Sequence, residues 1–284
     1  MLNINTNYAA SFAANAAKQS SSGLNSAMEK LSSGSRINYA KDDAAGQAIA
    51  VRLTAEVQGV AMASRNAADA QSMIDTADGA LGETHNLLLR MRELAVQSAN
   101  GTLNSDDRDA LDAEYQQLEA EVTRIDANTT FAGTSLFDAS TKSFQVGAKS
   151  GDQVSHTFAS MSATDILANI DHDGDAGAST AAQAADIKTT TAAQATITML
   201  DTAIKTVSTE RGKLGAVSNR LSSTIANLDQ VGVNLSASKG RIADADFAAE
   251  TGNLAKNQIL QQAATAMLAQ ANASKGSILT LIRN

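Results

Sequence analysis

The side chains of this chain that could carry chemistry are its carboxylates and three histidines, since it contains no cysteine. Two acidic pairs stand out, Asp42 with Asp43 and Asp244 with Asp246. Paired carboxylates can divide general-acid and general-base work, but they need a nucleophile or an apolar pocket that sets their pKa values apart. Neither pair has a histidine nearby in sequence. Each instead follows a Gly and an Arg-Ile step, where an acidic side chain would cap a new helix. The run Asp171-His172-Asp173-Gly174-Asp175 invites a calcium reading, yet an EF-hand starting at Asp171 requires Gly at 176 and Glu at 182, and both are Ala. His85, His156 and His172 share no ligand spacing, and His85 is expected on a helix surface. No phosphate-binding glycine loop, zinc-protease motif or nucleophile elbow occurs. The chain is expected to be no enzyme, with no cofactor and no metal.

What must be positioned instead is a set of apolar stripes. From Leu260 the small and apolar residues step as Leu260, Ala264, Met267, Ala271, Ser274, Ile278 and Leu281, alternating four and three. That is the heptad seam of a helix meant to lie along another helix. Residues 1–33 carry its counterpart: Ala10, Ala14, Ala17, Ser21, Leu24, Met28 and Leu31. Each seam is rich in small residues and buries little area, at about 25 cal/mol per Å². One such helix cannot stay folded alone. The ends are expected to pair with each other and then with copies from other chains, through Leu24, Met28, Leu31, Leu260, Met267, Ile278 and Leu281.

Between the ends the pattern is helical over most of the length. Ala44 to Ala99 reads as one helix with a seam at Leu53, Val57, Val60, Ser64 and Ala67. After a three-residue slip a second seam follows, from Ala70 through Ile74, Leu81, Leu88 and Met91 to Ala95. Asn100-Gly101 is a stop signal, and Ser105 is the expected cap of the next helix, with Leu111, Tyr115, Leu118, Val122 and Ile125 as its stripe. Residues 129–160 turn β-prone, with short runs between Gly-containing turns, and predict one or two hairpins. Residues 168–195 are polar and rich in Ala and Thr. A third long helix is expected from about Ala192 to Ser236, with Leu200, Val207, Leu214 and Leu221 on its stripe. Two similar junctions, Ser33 to Asp43 and Ser238 to Phe247, read as helix interruptions with new starts. The expected fold is mainly α: a long antiparallel helical bundle or coiled coil with a small β-hairpin region, its domains discontinuous and built from both chain ends.

Composition agrees. The 284 residues include no proline and no tryptophan, and only 3% are aromatic. Average usage would supply about fourteen prolines, and without them no helix is forced to break. The net charge of −8 is uneven: residues 1–40 and 245–284 together carry +3, leaving −11 for the middle. An acidic middle argues against nucleic acid as partner. Sparsely charged ends suit surfaces that become buried. No apolar run approaches the ~20 residues that span a bilayer, so no membrane partner is expected. The N-terminus has neither the basic region nor the apolar core of a cleaved signal. The expectation is a cytoplasmic chain, or one that leaves the cell by a route that reads no such signal.

Three motifs then point to a family. Leu31-Ser32-Ser33-Gly34-Ser35-Arg36-Ile37-Asn38, continuing from Ala40-Lys41-Asp42-Asp43 to Ala50, resembles the N-terminal signature of bacterial flagellins. Arg92-Glu93-Leu94-Ala95-Val96-Gln97-Ser98-Ala99-Asn100 resembles their central motif. Gln258 to Ala263, with Leu268-Ala269-Gln270-Ala271-Asn272, resembles their C-terminal one. The resemblance implies a self-assembling subunit of the extracellular flagellar filament. Residues 1–40 with 245–284 would form the inner tube, 41–164 with 191–244 a helical rod domain, and 165–190 a short variable segment where larger members carry an outer domain. It further implies partnership with other flagellin subunits, the export chaperone and export apparatus, and the filament cap and hook-associated proteins. Where a host is met, it implies a Toll-like receptor contacting Arg90, Leu94 and Glu114. A hook–filament junction protein with the same ends is the alternative. A coiled-coil signalling or adaptor protein would share the periodicity but not the motifs.

Overall fold

A computed structural model describes residues 6–163, 166 and 186–283, the last nine of them as backbone alone. The Asp171–Asp175 run lies outside the described residues. Among those described are five helices: α1 (Tyr8–Ser33), α2 (Ala44–Ser98), α3 (Ser105–Asn128), α4 (Thr190–Ala243) and α5 (Phe247–Arg283). Between α3 and α4 lie two antiparallel hairpins, β1 (Thr130–Phe131) with β2 (Thr134–Ser135) and β3 (Thr141–Gln145) with β4 (Gln153–Thr157). The fold class is the expected one. The chain divides into two units, Met1–Val57 with Val233–Asn284, and Gln58–Gly232.

The Gln58–Gly232 unit is organised on a heptad repeat in α2 that runs without a slip. Val60, Ala67, Ile74, Leu81, Leu88 and Ala95 are buried seven residues apart, and so are Ala63, Ala70, Ala77, Thr84, Met91 and Ser98. Ala63 holds the position that the sequence reading assigned to Ser64, and that substitution removes the apparent three-residue slip. An unbroken seven-residue repeat keeps one face of a helix turned to its partner over many turns. The partner is α4, with Ala193, Leu200, Val207, Leu214 and Leu221 buried at the same interval. Rungs between the two run in opposite chain directions: Arg92–Asp201 at 2.6 Å, Asp78–Arg211 at 2.8 Å, Gln71–Ser222 at 3.3 Å and Ser64–Asp229 at 3.1 Å. They fix the antiparallel register at the flanks of an apolar seam.

The third helix, α3, adds Tyr115 and Val122 to the same core. Its cap is Asn104 rather than Ser105: the Asn104 side chain accepts from the Asp107 N–H at 2.7 Å and Asp107 returns the bond at 3.3 Å, a reciprocal capping box. The hairpin region adds Leu136, Phe137, Val154 and Phe158 to that core. The segment before α4 is tied down by buried Asp112, which accepts from the Ile187 N–H at 3.0 Å and faces Lys188 at 3.6 Å.

In the other unit, α1 and α5 pair antiparallel. Asn7 donates to the Ala271 carbonyl at 3.2 Å near one end, and Lys30 meets Glu250 at 3.8 Å near the other. The α1 helix is capped by Asn7, whose side chain accepts from the Ala10 N–H, and it stops at Gly34, whose φ of 68° suits glycine. The two sequence-similar junctions lie side by side. Arg36 N–H donates to the Ala243 carbonyl at 2.7 Å and Ala245 N–H to the Gly34 carbonyl at 3.0 Å, while the Arg36 guanidinium reaches the Ile242 carbonyl at 2.6 Å. The α4 helix therefore continues through Gly240, beyond the Ser236 expected, and ends where Ala245 turns to Gly34.

Removing bulk from the α2–α4 seam tests this core. Leu81→Ala should lower the unfolding free energy of the Gln58–Gly232 unit by about 2–5 kcal/mol, read from the urea midpoint. Leu89→Ala, at an exposed position of the same helix, should leave that midpoint nearly unchanged.

Candidate functional site on the terminal helix pair

Of the carboxylates that opened the sequence reading, Asp42, Asp43 and Asp246 are caps and turn acceptors. Asp42 accepts from the N–H groups of Asn38 and Tyr39 at 3.2 and 3.0 Å, and the bond from Tyr39 is the main reason its pKa lies below the ordinary value. Asp43 caps α2 through the Gly46 N–H at 2.8 Å, and Asp246 caps α5 through Ala248 and Ala249 at 2.9 and 3.1 Å. Gly46 leaves these side chains room, because a Cβ would meet Asp43 and Ile37 Cδ1, the latter at 2.7 Å, and one of them would have to shift. None of these groups faces a nucleophile across a pocket.

The α1–α5 pair is a different kind of site. Ala13, Ser20 and Ala27 are buried seven residues apart on α1, and Ala264 and Ala271 are buried seven apart on α5. Small residues at the contact let the two backbones approach closely, and large ones would hold them apart. The bulkier seam residues are consequently displaced to the sides. Leu24 and Leu31 are half-buried, while Met28, Leu260 and Met267 remain 53%, 45% and 64% exposed. Ile278 and Leu281 continue the α5 stripe, with side chains outside the described atoms. Between the helices runs a groove of about 700 Å³, edged by Phe12, Leu260 and Met267 and floored by Ala13, Ala264 and Ala271. Exposed Phe12 is a contributor that periodicity missed, and Tyr8 is exposed one turn before it. Their signal was compositional: a chain with six Phe and three Tyr places two of these nine on the outside of its first helix.

Arg90, Leu94 and Glu114 do not present a common face. Arg90 and Glu114 are exposed and bound to each other, with Nη2–Oε1 at 2.8 Å, and Glu93 holds the other guanidinium nitrogen at 2.9 Å. The Glu114 hydrogen bond, then that of Glu93, raises the Arg90 pKa. Leu94 is 1% exposed and belongs to the core beside Ala95. At this level α2 is flanked by α3 through Arg90 and by α4 through Arg92, and its buried stripe widens to take in both Leu94 and Ala95.

Of the histidines, His85 is half-buried rather than on the surface. His156 on β4 is buried, meets Phe158 edge to face at 4.8 Å and leaves Nε2 without a hydrogen-bond partner among the described residues. Among the described residues no group of three or more His, Asp or Glu is placed to hold a metal ion. No described helix is long and apolar enough to cross a membrane.

Sequence comparison decides what such a helix pair belongs to. The bacterial flagellin N-terminal helical region matches residues 4–142, and the bacterial flagellin C-terminal helical region matches residues 197–282. This chain belongs to the bacterial flagellins. It is 44% identical over 259 residues to a flagellin of Halalkalibacterium halodurans, covering 90% of this chain and 91% of that one. It is 40% identical over 309 residues to the flagellin of Bacillus subtilis, covering 99% of this chain and all of that one. A solved structure of a putative flagellar hook-associated protein from Vibrio parahaemolyticus shares the fold alone, with a TM-score of 0.58, 14% identity, 72% of this chain and all of that one. Like other flagellins, this chain is a structural subunit of the bacterial flagellar filament, the extracellular polymer that serves motility.

The buried imidazole of this flagellin yields a pH prediction. Burial pushes the His156 pKa below its ordinary 6.5, with Glu210 opposing and Lys213 assisting; Lys142 is its cross-strand partner. A histidine that is harder to protonate when folded contributes stability above its unfolded pKa, and that contribution is lost as pH falls through the folded pKa. The urea midpoint of the Gln58–Gly232 unit should therefore include a component that declines below about pH 6.5, absent in His156→Gln. Glu119, whose pKa is raised by burial and then by Asp112, contributes with the opposite sign, so the difference between parent and variant is the quantity to measure.

Proposed function

We propose that the α1–α5 pair is the surface through which subunits join. Residues 1–40 with 245–284 are the inner tube of the filament, 41–164 with 191–244 the surrounding rod domain, and 165–190 the short variable segment. One observation carries this reading: the pair closes on its small residues and leaves Met28, Leu260 and Met267 outside. Large apolar side chains left open beside a groove, in a region of low charge, mark a surface awaiting a partner. The family relationship supplies that partner as further copies of the same chain. The C-terminal part of that pair, before assembly, is what an export chaperone would cover, on a chain passed through the flagellar export apparatus to a growing tip carrying the filament cap.

Arg90 and Glu114 offer an exposed charged pair, and Leu94 holds α2 from its buried side rather than touching a receptor. If this surface binds a Toll-like receptor, Arg90→Ala with Glu114→Ala weakens binding while circular dichroism stays that of the parent. Equal binding by the double variant would remove these two residues from the contact.

Assembly is tested by seeded growth. Parent monomer should extend filament fragments in a concentration-dependent way. Leu260→Asp or Ile278→Asp would bury an unpaired charge at about 3–5 kcal/mol, a loss of at least about a hundredfold in subunit affinity. Either should stop growth with the urea midpoint of the Gln58–Gly232 unit unchanged. Normal filaments from both variants would exclude α5 from the joint.

A further inference from the structure

Sulfur chemistry in this chain belongs to methionine alone, for there are eight methionines and no cysteine. Exposure divides the described ones. Met91 and Met161 are locked in the core of the Gln58–Gly232 unit, while Met28, Met62 and Met267 are open. Met267 is the most exposed, and it edges the groove between α1 and α5 beside Phe12 and Leu260. An accessible thioether stands where the proposed subunit joint would form.

We propose that Met267 is a reversible oxidation site through which a peroxide switches off subunit assembly. The inference rests on the assembly reading above. The step is a two-electron oxygen transfer. The thioether sulfur attacks one oxygen of hydrogen peroxide, the O–O bond breaks as an S–O bond forms, and the second oxygen leaves as water after proton transfer. Sulfur is oxidised and the peroxide reduced. The product sulfoxide is polar, chiral and repairable by methionine sulfoxide reductases.

Position makes that change act on assembly rather than on folding. In the free subunit the new oxygen faces water, and Gln270 lies one turn further along the same helix. The close contact between α1 and α5 runs through Ala13, Ser20, Ala27, Ala264 and Ala271, none of which changes. A second subunit laid over the groove would have to strip water from the sulfoxide against a rim of Phe12 and Leu260, which penalises burial. The converse also holds. Once a neighbour covers Met267, the thioether is shielded, so an existing filament resists a dose that disables free subunits.

The test uses full-length monomer, limiting hydrogen peroxide, peptide mass mapping and seeded growth. Mapping should find sulfoxide at Met267, Met28 and Met62 but not at Met91 or Met161. Seed extension by oxidised parent should fall by about tenfold or more, and reductase treatment should restore it. Met267→Leu conserves volume and, compared with its own untreated rate, should lose clearly less extension to peroxide than the parent does, with Met28→Leu as the control for the other open thioether of the pair. Met62→Leu should lose extension as the parent does. The proposal is overturned if oxidised Met267→Leu fails as badly as oxidised parent, if repair of Met267 leaves extension lost, or if extension is lost with Met267 unmodified. Should Met267→Leu fail to extend seeds even untreated, recovery on repair, followed site by site in the mass map, decides the matter. Failure of untreated parent monomer to extend seeds is a separate result, read before any peroxide is added. It would remove the assembly reading, and the switch with it.

Discussion

Two helices approach most closely where their facing residues are smallest, and each small residue removes little apolar surface from water. The α1–α5 pair lives under that constraint. Ala13, Ser20, Ala27, Ala264 and Ala271 give it a tight contact and a weak one. The area that would normally stabilise a helix pair sits instead on Phe12, Met28, Leu260 and Met267, outside the contact. Under the proposed assembly, stability is thereby deferred from the single chain to the polymer. The groove, the low charge of the ends and the exposure of the thioethers all follow from that arrangement.

The Gln58–Gly232 unit makes the opposite choice. Its heptad positions carry Leu, Ile, Val and Met as often as Ala, and they are matched by rungs such as Asp78–Arg211 along an antiparallel partner. Large residues face inward and the seam is satisfied within one subunit. The two units use one periodicity with opposite size distributions, and size, not period, separates an internal core from the surface proposed for assembly.

That distinction explains what the sequence could disclose. Helix positions, hairpins and the family motifs were legible, because they depend on local pattern and on words of five to ten residues. The α2 seam was nearly so: Ser64 seemed to hold a heptad position because its neighbour Ala63 is no more hydrophobic than many surface alanines, and the true register appears only with a partner in place. Leu94 misled for a related reason. Its stripe widens where α3 and α4 both flank α2, and no periodicity in one helix reports how many helices surround it. The capping box of Asn104 was readable in principle from Asn104 and Asp107, but Ser105 is an equally good cap by type. In the terminal pair, the pattern predicted a seam and could not say which edge would close inside the subunit.

The junction where Gly34 and Arg36 meet Ala243 and Ala245 joins parts of the chain more than two hundred residues apart, with the Arg36 guanidinium bonded across a separation of 206. Contacts that distant cannot form until more than two hundred further residues have been made. On a ribosome adding about 5–20 residues per second, the first helix would wait about 10–40 s for the strand of backbone that anchors it. Through that interval α1 has no partner from its own chain, and its small-residue stripe is too weak to recruit one by chance. The α1 helix is thus made long before the backbone that anchors it, and order of synthesis does not set order of consolidation.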